Sequence, residues 1–322
     1  MELIEKVAVL HVHTDASDGT ATAREVIRSA SIESLDVLGI NDHWSLRARK
    51  EGLGGWNGRL FVLAGAELED VGENSHLLAY GIDDLPDATE TSEQIAFVNR
   101  AGGIAIIAHP CEAPGRLPGT RAYPWTAGNA GGAAGVEVWN YMSSWKAGVS
   151  LWNLAGKLLL PDRFVKHPDQ GALELWGEVG GCAVACPDAH AFRYGAGPVG
   201  LTVFPYRMLF RRLRTHILLE RELPAGTEQA ETVLLGAMRG GSCFMSNRLH
   251  GDARGFRCGR SGRMLELRMP GPGSLVINVA GLPAGPPQPL EAGINRLEVP
   301  EGVPLVISVL RGGRTWICCC VR

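Results

Sequence analysis

The sequence lacks any apolar run close to the roughly 20 residues that a helix needs to span a bilayer. Its first residues, 1–6, are acidic where a secretory signal would be basic, so we expect a cytoplasmic protein. An excess of positive charge is missing too, since the formal net charge is -3 at pH 7. Because counterion-release binding needs a basic surface, we expect neither bulk nucleic-acid binding nor membrane binding.

The cysteines do not indicate a disulfide-rich protein. The chain has 8 cysteines in 322 residues, and those at 318–320 are consecutive. Immediate neighbours cannot form a disulfide without severe strain, and disulfide frameworks are typical of much smaller secreted domains. We therefore expect reduced thiols in a globular protein, whose 45% hydrophobic residues are enough for a large core.

Short apolar segments alternate with helix-like segments from residue 7 to about residue 204, which predicts an α/β fold with a parallel sheet. The number of segments suits a closed or nearly closed TIM-like barrel in residues 1–240, with irregular excursions at 110–135 and 141–171. Short strands separated by Gly and Pro turns predict a small antiparallel β domain in residues 241–322. The predicted barrel strands are 7–10, 37–40, 60–64, 76–80, 104–108, 135–139, 183–186 and 201–204.

Histidines and carboxylates follow most of these predicted strands. His11 and His13 are two residues apart, so in a strand their side chains would point to the same side. The C-terminal ends of parallel barrel strands share one face, where these groups would meet, although His76 begins its strand instead. Mixed nitrogen and oxygen donors suit Zn, Mn or Fe. The candidate ligands, too many for a single ion, are His11, His13, Asp18, His43, Glu67, His76, His109, Asp188 and His190.

Taken in order, these motifs resemble the PHP family, the metal-dependent phosphoesterases named for polymerase and histidinol phosphatase. The resemblance covers residues 7–204, and residues 204–206, 215–219 and the β tail are similar to a two-domain branch that includes carbamate-hydrolase-like members. It is carried by His11-Val12-His13-Thr14, Ser17-Asp18-Gly19-Thr20, Asn41-Asp42-His43, Gly65-Ala66-Glu67, His76-Leu77-Leu78, Ile107-Ala108-His109-Pro110, Glu137-Val138-Trp139-Asn140 and Asp188-Ala189-His190.

The resemblance implies a distorted (β/α)7 barrel that holds two or three divalent transition metal ions. Some relatives have a histidine where this chain has Asp18, and relatives usually have Ser where it has Pro187. The implied ligands are His11, His13, Glu67 and Asp188 for the first ion, Glu67, His76 and His109 for the second, and Asp18, His43 and His190 for the third.

Two close cations lower the pKa of a bridging water and neutralise charge on phosphoryl oxygens. We therefore expect a phosphoesterase in which a metal-bridging hydroxide attacks a small phosphorylated metabolite or nucleotide. His43 or His190 would give a proton to the leaving alkoxide if the third site is empty. Arg193 and Lys146 are candidates for gripping the phosphate.

Two other functions fit the same residues. The same hydroxide can attack carbon in a carbamate, amide or ester if the pocket has no cationic clamp for phosphate. The chain could instead be a noncatalytic, metal-stabilised module whose β domain binds a partner, although a complete ligand set favours catalysis. The sequence leaves the substrate and the oligomeric state open.

Overall fold

The computed structural model of the protein describes residues 3–128, 130–196, 199–279 and 285–322. The strands are β1 (Ile4–Val9), β2 (Val37–His43), β3 (Gly55–Asn57), β4 (Leu60–Leu68), β5 (Leu77–Tyr80), β6 (Ile104–Ile107), β7 (Gly135–Asn140), β8 (Cys182–Cys186), β9 (Arg193–Ala196), β10 (Val199–Thr202), β11 (Leu213–Leu219), β12 (Cys243–Asn247), β13 (Arg257–Ser261), β14 (Met264–Met269), β15 (Gly273–Val279), β16 (Gln288–Leu290), β17 (Gly293–Glu298), β18 (Leu305–Arg311) and β19 (Arg314–Val321). The α-helices are α1 (Ala23–Ile32), α2 (Arg47–Lys50), α3 (Thr91–Arg100), α4 (Tyr141–Lys146), α5 (Leu154–Leu159), α6 (Gln170–Val179), α7 (Tyr206–Leu209) and α8 (Thr227–Arg239).

One large mixed sheet forms the centre of the molecule. Its strand order is β16-β15-β18-β19-β12-β11-β1-β2-β4-β5-β6-β7-β8, with β3 beside β4. Neighbours are parallel from β1 to β4 and from β6 to β8, whereas β5 is antiparallel to both β4 and β6. The predicted α/β class is therefore confirmed.

The sheet does not close into a TIM barrel, so the prediction of a closed barrel is wrong. The free edge of β1 is occupied by the antiparallel strand β11, and β8 ends the sheet. Within the described residues, β1 and β8 are linked through one parallel bridge beyond their ends, between Val12 and Ala189. The predicted eighth barrel strand, 201–204, overlaps β10, which pairs with β9 in a separate hairpin.

The direction of β5 explains why His76 begins a strand. The other ligand-bearing strands of this half of the sheet reach one edge with their C-terminal ends. Because β5 runs the opposite way, its first residues lie at that same edge, and the backbone N–H of Ala108 donates to the carbonyl oxygen of His76. His76 therefore meets the other ligands.

Helix α1 shows why the local sequence forms the predicted elements. Thr22 and Glu25 form a reciprocal capping box at its N-terminus, which satisfies backbone N–H groups that have no partner inside the helix. Its buried residues, Ala23, Val26, Ile27 and Ala30, recur at helical spacing and face the sheet core.

The C-terminal residues add antiparallel strands and a core of their own. β12, β19, β18, β15 and β16 extend the large sheet beyond β11, while β13, β14 and β17 form a separate three-stranded sheet. Phe244, Phe256 and Trp316 are among the large side chains buried between them. The expected C-terminal antiparallel sheet is present, and the domain boundary near residue 241 stays a prediction.

The two excursions carry little regular structure. Residues 110–128 and 130–134 contain no helix or strand, and residues 141–171 contain α4, α5 and a 3-10 turn at Pro161–Arg163 before α6 begins. Hydrogen bonds from Arg116 N to Val149 O and from Gly148 N to Pro114 O join the two excursions.

Within the described residues, no helix is both long enough and apolar enough to cross a membrane. All eight cysteines are free thiols, as the sequence predicts.

Glu5 is the centre of a buried polar network that ties β1 to the C-terminal residues. Its carboxylate contacts His216 Nδ1 at 2.7 Å and accepts hydrogen bonds from Arg257 Nη1 at 2.7 Å and from Gly255 N at 2.9 Å. Burial alone would raise the pKa of Glu5, but these hydrogen bonds lower it to about 2. The ionised carboxylate therefore stabilises the folded state.

We predict that Glu5→Gln lowers the free energy of unfolding at pH 7 by about 2 kcal/mol, because the half-buried Arg257 loses its anionic partner. The pKa of Glu5 is lowered from 4.5 to about 2, so its stabilisation is complete above pH 4.5 and is lost as the pH falls toward 2. Urea unfolding of the wild type and the variant should therefore converge over that pH range.

Glu222→Gln is the matched control. Glu222 pairs with Lys6, which follows Glu5 in β1, but the Glu222 side chain is 69% exposed. Its loss of unfolding free energy should stay below about 0.5 kcal/mol. A Glu5→Gln deficit as large at pH 2 as at pH 7 would contradict the prediction.

Candidate metal centre

The nine predicted ligands meet at one edge of the large sheet. They lie at or just after the C-terminal ends of strands, except for Asp18 in the loop after His13 and His76 at the start of β5. All of them line a cavity of about 490 Å³ except His11 and His13, which are fully buried. The residues that the sequence singled out as ligands are thus brought together, although their role as ligands stays a prediction.

Left-handed backbone at several strand ends turns these side chains toward the centre. His11, His109 and Asp188 have φ angles of 60°, 28° and 55°. Such φ values cost roughly 1–3 kcal/mol each in a residue other than glycine, and they cluster at functional sites. His11 lies beyond the end of β1, so His11 and His13 converge through this turn rather than through the alternation of a regular strand.

The loop that carries Asp18 packs closely on His13. A Cβ atom at Gly19 would lie 2.6 Å from the carbonyl carbon and oxygen of His13, so this position requires glycine. Asp42 fixes the same loop, because its carboxylate accepts hydrogen bonds from Thr14 N, Thr14 Oγ1 and Ser17 Oγ, each at 2.7 Å. Asp18 is thereby held beside the histidines.

Glu67 is the central carboxylate of the site and is 1% exposed. Its Oε2 atom lies 3.1 Å from His11 Nε2 and 3.0 Å from His13 Nε2. Its Oε1 atom lies 2.8 Å from His76 Nδ1 and 3.2 Å from His109 Nε2. One carboxylate therefore faces two pairs of imidazoles with its two oxygens, which is the arrangement of a bridging ligand.

The first ligand group consists of His11, His13, Glu67 and Asp188. Asp188 Oδ1 lies 3.3 Å from His11 Nε2 and 3.5 Å from His13 Nε2, and both nitrogens are at similar distances from Glu67. Donor atoms about 3.4 Å apart match a tetrahedral ion with bonds of about 2.1 Å. Of this group, the donor atoms of His11, His13 and Glu67 all lie within 4.8 Å of one another and could hold such an ion, whereas Asp188 lies within that distance together with His11 and His109.

Two further groups share residues with the first. The second ligand group consists of Glu67, His76 and His109, whose donor atoms lie within 4.8 Å of one another. The third ligand group consists of Asp18, His43 and His190, and the structure adds His13 to it within the same distance. His190 Nε2 lies 3.2 Å from Asp18 Oδ2. Overlapping groups of mixed N and O donors fit more than one transition metal ion.

Burial and opposite charge set the protonation of these groups. Burial alone would raise the pKa of Glu67 and Asp188, but neighbouring histidines hold both pKa values well below the usual range. Burial would lower the pKa of His13 and His109, but hydrogen bonds with the carboxylates raise the pKa values to about 10 and about 9. The anionic carboxylates therefore need positive charge, which protons or metal ions can supply.

His43 differs from the other histidines of the site. Its burial lowers the pKa to about 4, and the attraction of Glu67 does not offset this effect. The imidazole is therefore neutral near pH 7, as a metal ligand must be.

Glu137 orients the site from behind, a role that the sequence did not reveal. Its Oε1 atom lies 3.1 Å from His11 Nδ1, and its Oε2 atom accepts hydrogen bonds from His109 N at 2.7 Å and Asn140 Nδ2 at 3.1 Å. A carboxylate on the second nitrogen of a ligating histidine fixes the tautomer and the ring orientation. Glu137 belongs to one of the PHP-like motifs in the sequence, but its partners become visible only in the fold.

Glu69 is a cavity residue that the sequence analysis missed. Its Oε2 atom lies 3.7 Å from His43 Nδ1 and 3.5 Å from His76 Nε2. The signal was available, because Glu69 is two residues after Glu67 and alternation along an extended chain places both on one side.

The predicted phosphate-gripping residues have different surroundings. Arg193 begins β9 with an exposed side chain next to Gly200, and the described cavity lining does not include it. Lys146 does line the cavity and forms an ion pair at 2.6 Å with the buried Glu112. The structure adds Arg121, which the sequence analysis missed; it also lines the cavity and pairs with Glu73 at 3.1 Å.

Aromatic side chains complete the cavity wall. The guanidinium of Arg121 and the ammonium of Lys146 lie 5.0 Å and 5.2 Å from the ring centre of Tyr123. Phe192 stacks on His190 at 4.7 Å between ring centres. The cavity wall therefore combines two cations, their carboxylate partners Glu73 and Glu112, and aromatic rings.

No protein-family model matches the sequence, and no curated protein matches it. Solved structures do match. A two-domain protein from Bacteroides vulgatus that contains a predicted PHP-like metal-dependent phosphoesterase is 10% identical, and the match covers 99% of this chain and 96% of that chain with a TM-score of 0.51.

Two further structures match less of the chain. PsfC from Pseudomonas syringae is 16% identical over 72% of this chain and 88% of its own, with a TM-score of 0.43. An inferred metal-dependent phosphoesterase from Bifidobacterium adolescentis is 17% identical over 61% of this chain and 92% of its own, with a TM-score of 0.34. These two scores are too low to support an argument.

The match with the Bacteroides protein covers nearly the full length of both chains, including the C-terminal antiparallel strands. The resemblance carried by the motifs is therefore confirmed at the level of the fold: this chain has the fold of a two-domain PHP-like protein.

Proposed function

We propose that the protein is a metal-dependent phosphoesterase that acts on a small phosphorylated metabolite or nucleotide. The observation that supports this most is the composition of one cavity. Residues from all three ligand groups line it, and two cationic side chains, Arg121 and Lys146, line the same cavity. A phosphate ester needs both features, because its reaction develops negative charge on the phosphoryl oxygens.

The three ligand groups would hold two or three divalent Zn, Mn or Fe ions. The first would use His11, His13 and Asp188 together with Glu67, which the second group shares. Bound ions supply Lewis acidity, lowering the pKa of water and offsetting charge on the phosphoryl oxygens. The short distances from Glu67 to both pairs of histidines favour such shared coordination.

The chain's own residues would orient the ester and move a proton. Arg121 can hold two phosphate oxygens through its planar guanidinium, and Lys146 can contact another as a point charge. His190 lines the cavity and can donate a proton to the leaving alkoxide when the third ligand group holds no ion. His43 also lines the cavity, but burial lowers its pKa to about 4, so its imidazole is neutral near pH 7 and would first have to take up a proton. Arg121 carries more weight than Arg193, because the described lining of the cavity includes Arg121 but not Arg193.

Carbamate, amide or ester hydrolysis is the second candidate. One observation favours it: both cationic side chains already have carboxylate partners, Glu73 for Arg121 and Glu112 for Lys146. The Lys146 pair is mostly buried, so a phosphate would have to compete with Glu112. Arg121 is 52% exposed and its pair is weak, which leaves this guanidinium available to a phosphate.

We predict that Glu67→Gln removes most of the bound metal and lowers kcat/KM at least about 1000-fold, because the variant loses the anionic bridge between ligand groups. Metal content, measured in protein purified without chelators, should fall from two or three equivalents to one or none. His250→Ala is the control, since His250 is half-buried in a distant 3-10 helix and should not change either quantity. An active Glu67→Gln variant with full metal content would contradict the assignment.

We predict that Arg121→Gln raises KM for a phosphorylated substrate by about 5- to 30-fold, which corresponds to about 1–2 kcal/mol of lost binding. The melting temperature should hardly change, because the Arg121 ion pair is exposed. Arg116→Gln changes an exposed arginine of the same excursion and is the matched control. Equal KM values for the two variants would rule out a role of Arg121 in phosphate binding.

A substrate screen decides between the two candidate functions. Phosphomonoesters, phosphodiesters, carboxyl esters and carbamates would each be tested with manganese, zinc and iron. We predict hydrolysis of phosphate esters in the presence of metal and its loss after chelation. Hydrolysis of carboxyl derivatives alone would establish the second candidate in place of the first, and a metal-free protein with full activity would exclude both.

A further inference from the structure

Glu69 occupies a special position between two of the ligand groups. It follows β4 directly, lines the cavity and is 24% exposed at its side chain. Glu69 belongs to none of the three ligand groups defined above, although its donor atom and those of His43 and His76 also lie within 4.8 Å of one another.

Two imidazole nitrogens near Glu69 have no other partner. His43 Nδ1 and His76 Nε2 are buried and make no hydrogen bond to any described residue, and the His76 side chain is only 4% exposed. Both nitrogens face Glu69 Oε2, at 3.7 Å and 3.5 Å. A buried N–H group without a partner is costly, so this shared orientation toward one carboxylate oxygen calls for an explanation.

The opposite nitrogens of the same two rings face the metal centre. His76 Nδ1 lies 2.8 Å from Glu67 Oε1, in the second ligand group. His43 Nε2 lies 3.7 Å from Glu67 Oε2 and 4.0 Å from Asp18 Oδ1, in the third ligand group. Each ring therefore has one nitrogen toward the ligand groups and the other toward Glu69.

Ligating histidines usually donate their second N–H to a carboxylate, a carbonyl or water, which fixes the tautomer and the ring orientation. A neutral imidazole has one N–H and one lone pair, so an acceptor at one nitrogen leaves the lone pair on the other. Glu69 can impose this choice on both rings at once. The two distances exceed a charge-assisted hydrogen bond by about 0.7 Å, which a small movement of the partly exposed side chain can close.

We propose that Glu69 is a positioning residue that accepts the N–H groups of His43 Nδ1 and His76 Nε2 and thereby presents His43 Nε2 and His76 Nδ1 to metal ions. This inference rests on the proposed function, because it requires that the second and third ligand groups bind metal. A single carboxylate then controls one ligand in each of these two groups and none in the first.

Zinc binding tests the proposal without any substrate. The full-length protein is titrated with zinc against a chromophoric chelator, which resolves the equivalents by affinity. In Glu69→Ala, we expect the affinity of the second and third ligand groups to fall by about 10- to 100-fold, while one tight equivalent remains at the first group. In Glu69→Gln the loss should be smaller, because the amide oxygen still accepts from an imidazole N–H.

Glu73→Gln separates positioning from general charge. Glu73 lines the same cavity and pairs with Arg121, so its substitution removes the same charge as Glu69→Gln. We expect zinc binding by Glu73→Gln to match the wild type. Thermal unfolding of each metal-free variant shows whether the fold is kept.

Histidine tautomers give a readout that a purely structural role would not change. Long-range 15N–1H spectra of the zinc-loaded protein, with 15N in its histidines only, distinguish an Nδ1–H ring from an Nε2–H ring. In the wild type, we expect His43 as Nδ1–H and His76 as Nε2–H. In Glu69→Ala, we expect both sets of signals to shift or to show mixed tautomers.

The outcomes separate the two proposals. Equal zinc isotherms and tautomers in Glu69→Ala and the wild type would overturn the role of Glu69 and leave the proposed function intact. Equal weakening by Glu69→Gln and Glu73→Gln would also overturn it, because charge alone would then explain the effect. Selective weakening in a protein that hydrolyses no phosphate ester would support the role of Glu69 and overturn only the phosphoesterase activity. A wild type that binds no zinc would overturn both.

Discussion

The site depends on the burial of the Glu67 carboxylate. Moving a carboxylate out of water costs several kcal/mol unless positive charge and hydrogen bonds surround it. The chain supplies four close imidazoles, from His11 and His13 on one oxygen and from His76 and His109 on the other. These residues come from three different segments, so the strand ends must converge within a few ångströms for Glu67 to be buried at all. The left-handed turns at His11 and His109 follow from that requirement.

The sequence predicted the nine histidines and carboxylates that meet at the sheet edge, but not Glu69 or Arg121 beside them. Apolar runs locate the strands because buried strands must be apolar, and polar ligands stand out where such runs end. His109 and Asp188, for example, follow the runs that form β6 and β8. Local hydropathy carries no information about strand direction, however. The position of His76 therefore became understandable only when β5 proved antiparallel to both neighbours.

Most of the wrong or missing predictions share a physical origin, because they concern contacts between residues that lie far apart in the chain. Barrel closure failed because β11, with ordinary apolar alternation, pairs with the edge of β1. Arg121 lies in an irregular excursion without periodicity, and only tertiary packing brings it to the cavity. Arg193 was chosen for its closeness in sequence to Asp188, yet the hairpin of β9 and β10 leads its side chain to the surface. Glu69 is the exception, because alternation with Glu67 pointed to it.

The reversed direction of β5 also determines how this fold can diversify. The connection between β4 and β5, residues 69–76, is a loop that contributes Glu69 and Glu73 to the cavity lining. Asp70 holds that loop by accepting hydrogen bonds from the backbone of Gly72, Asn74 and Ser75. A change in the middle of this loop, residues 70–74, reshapes the entrance while every strand keeps its register. The two ends of the loop are constrained, because Glu69 faces two of the predicted ligands and His76 is one of them.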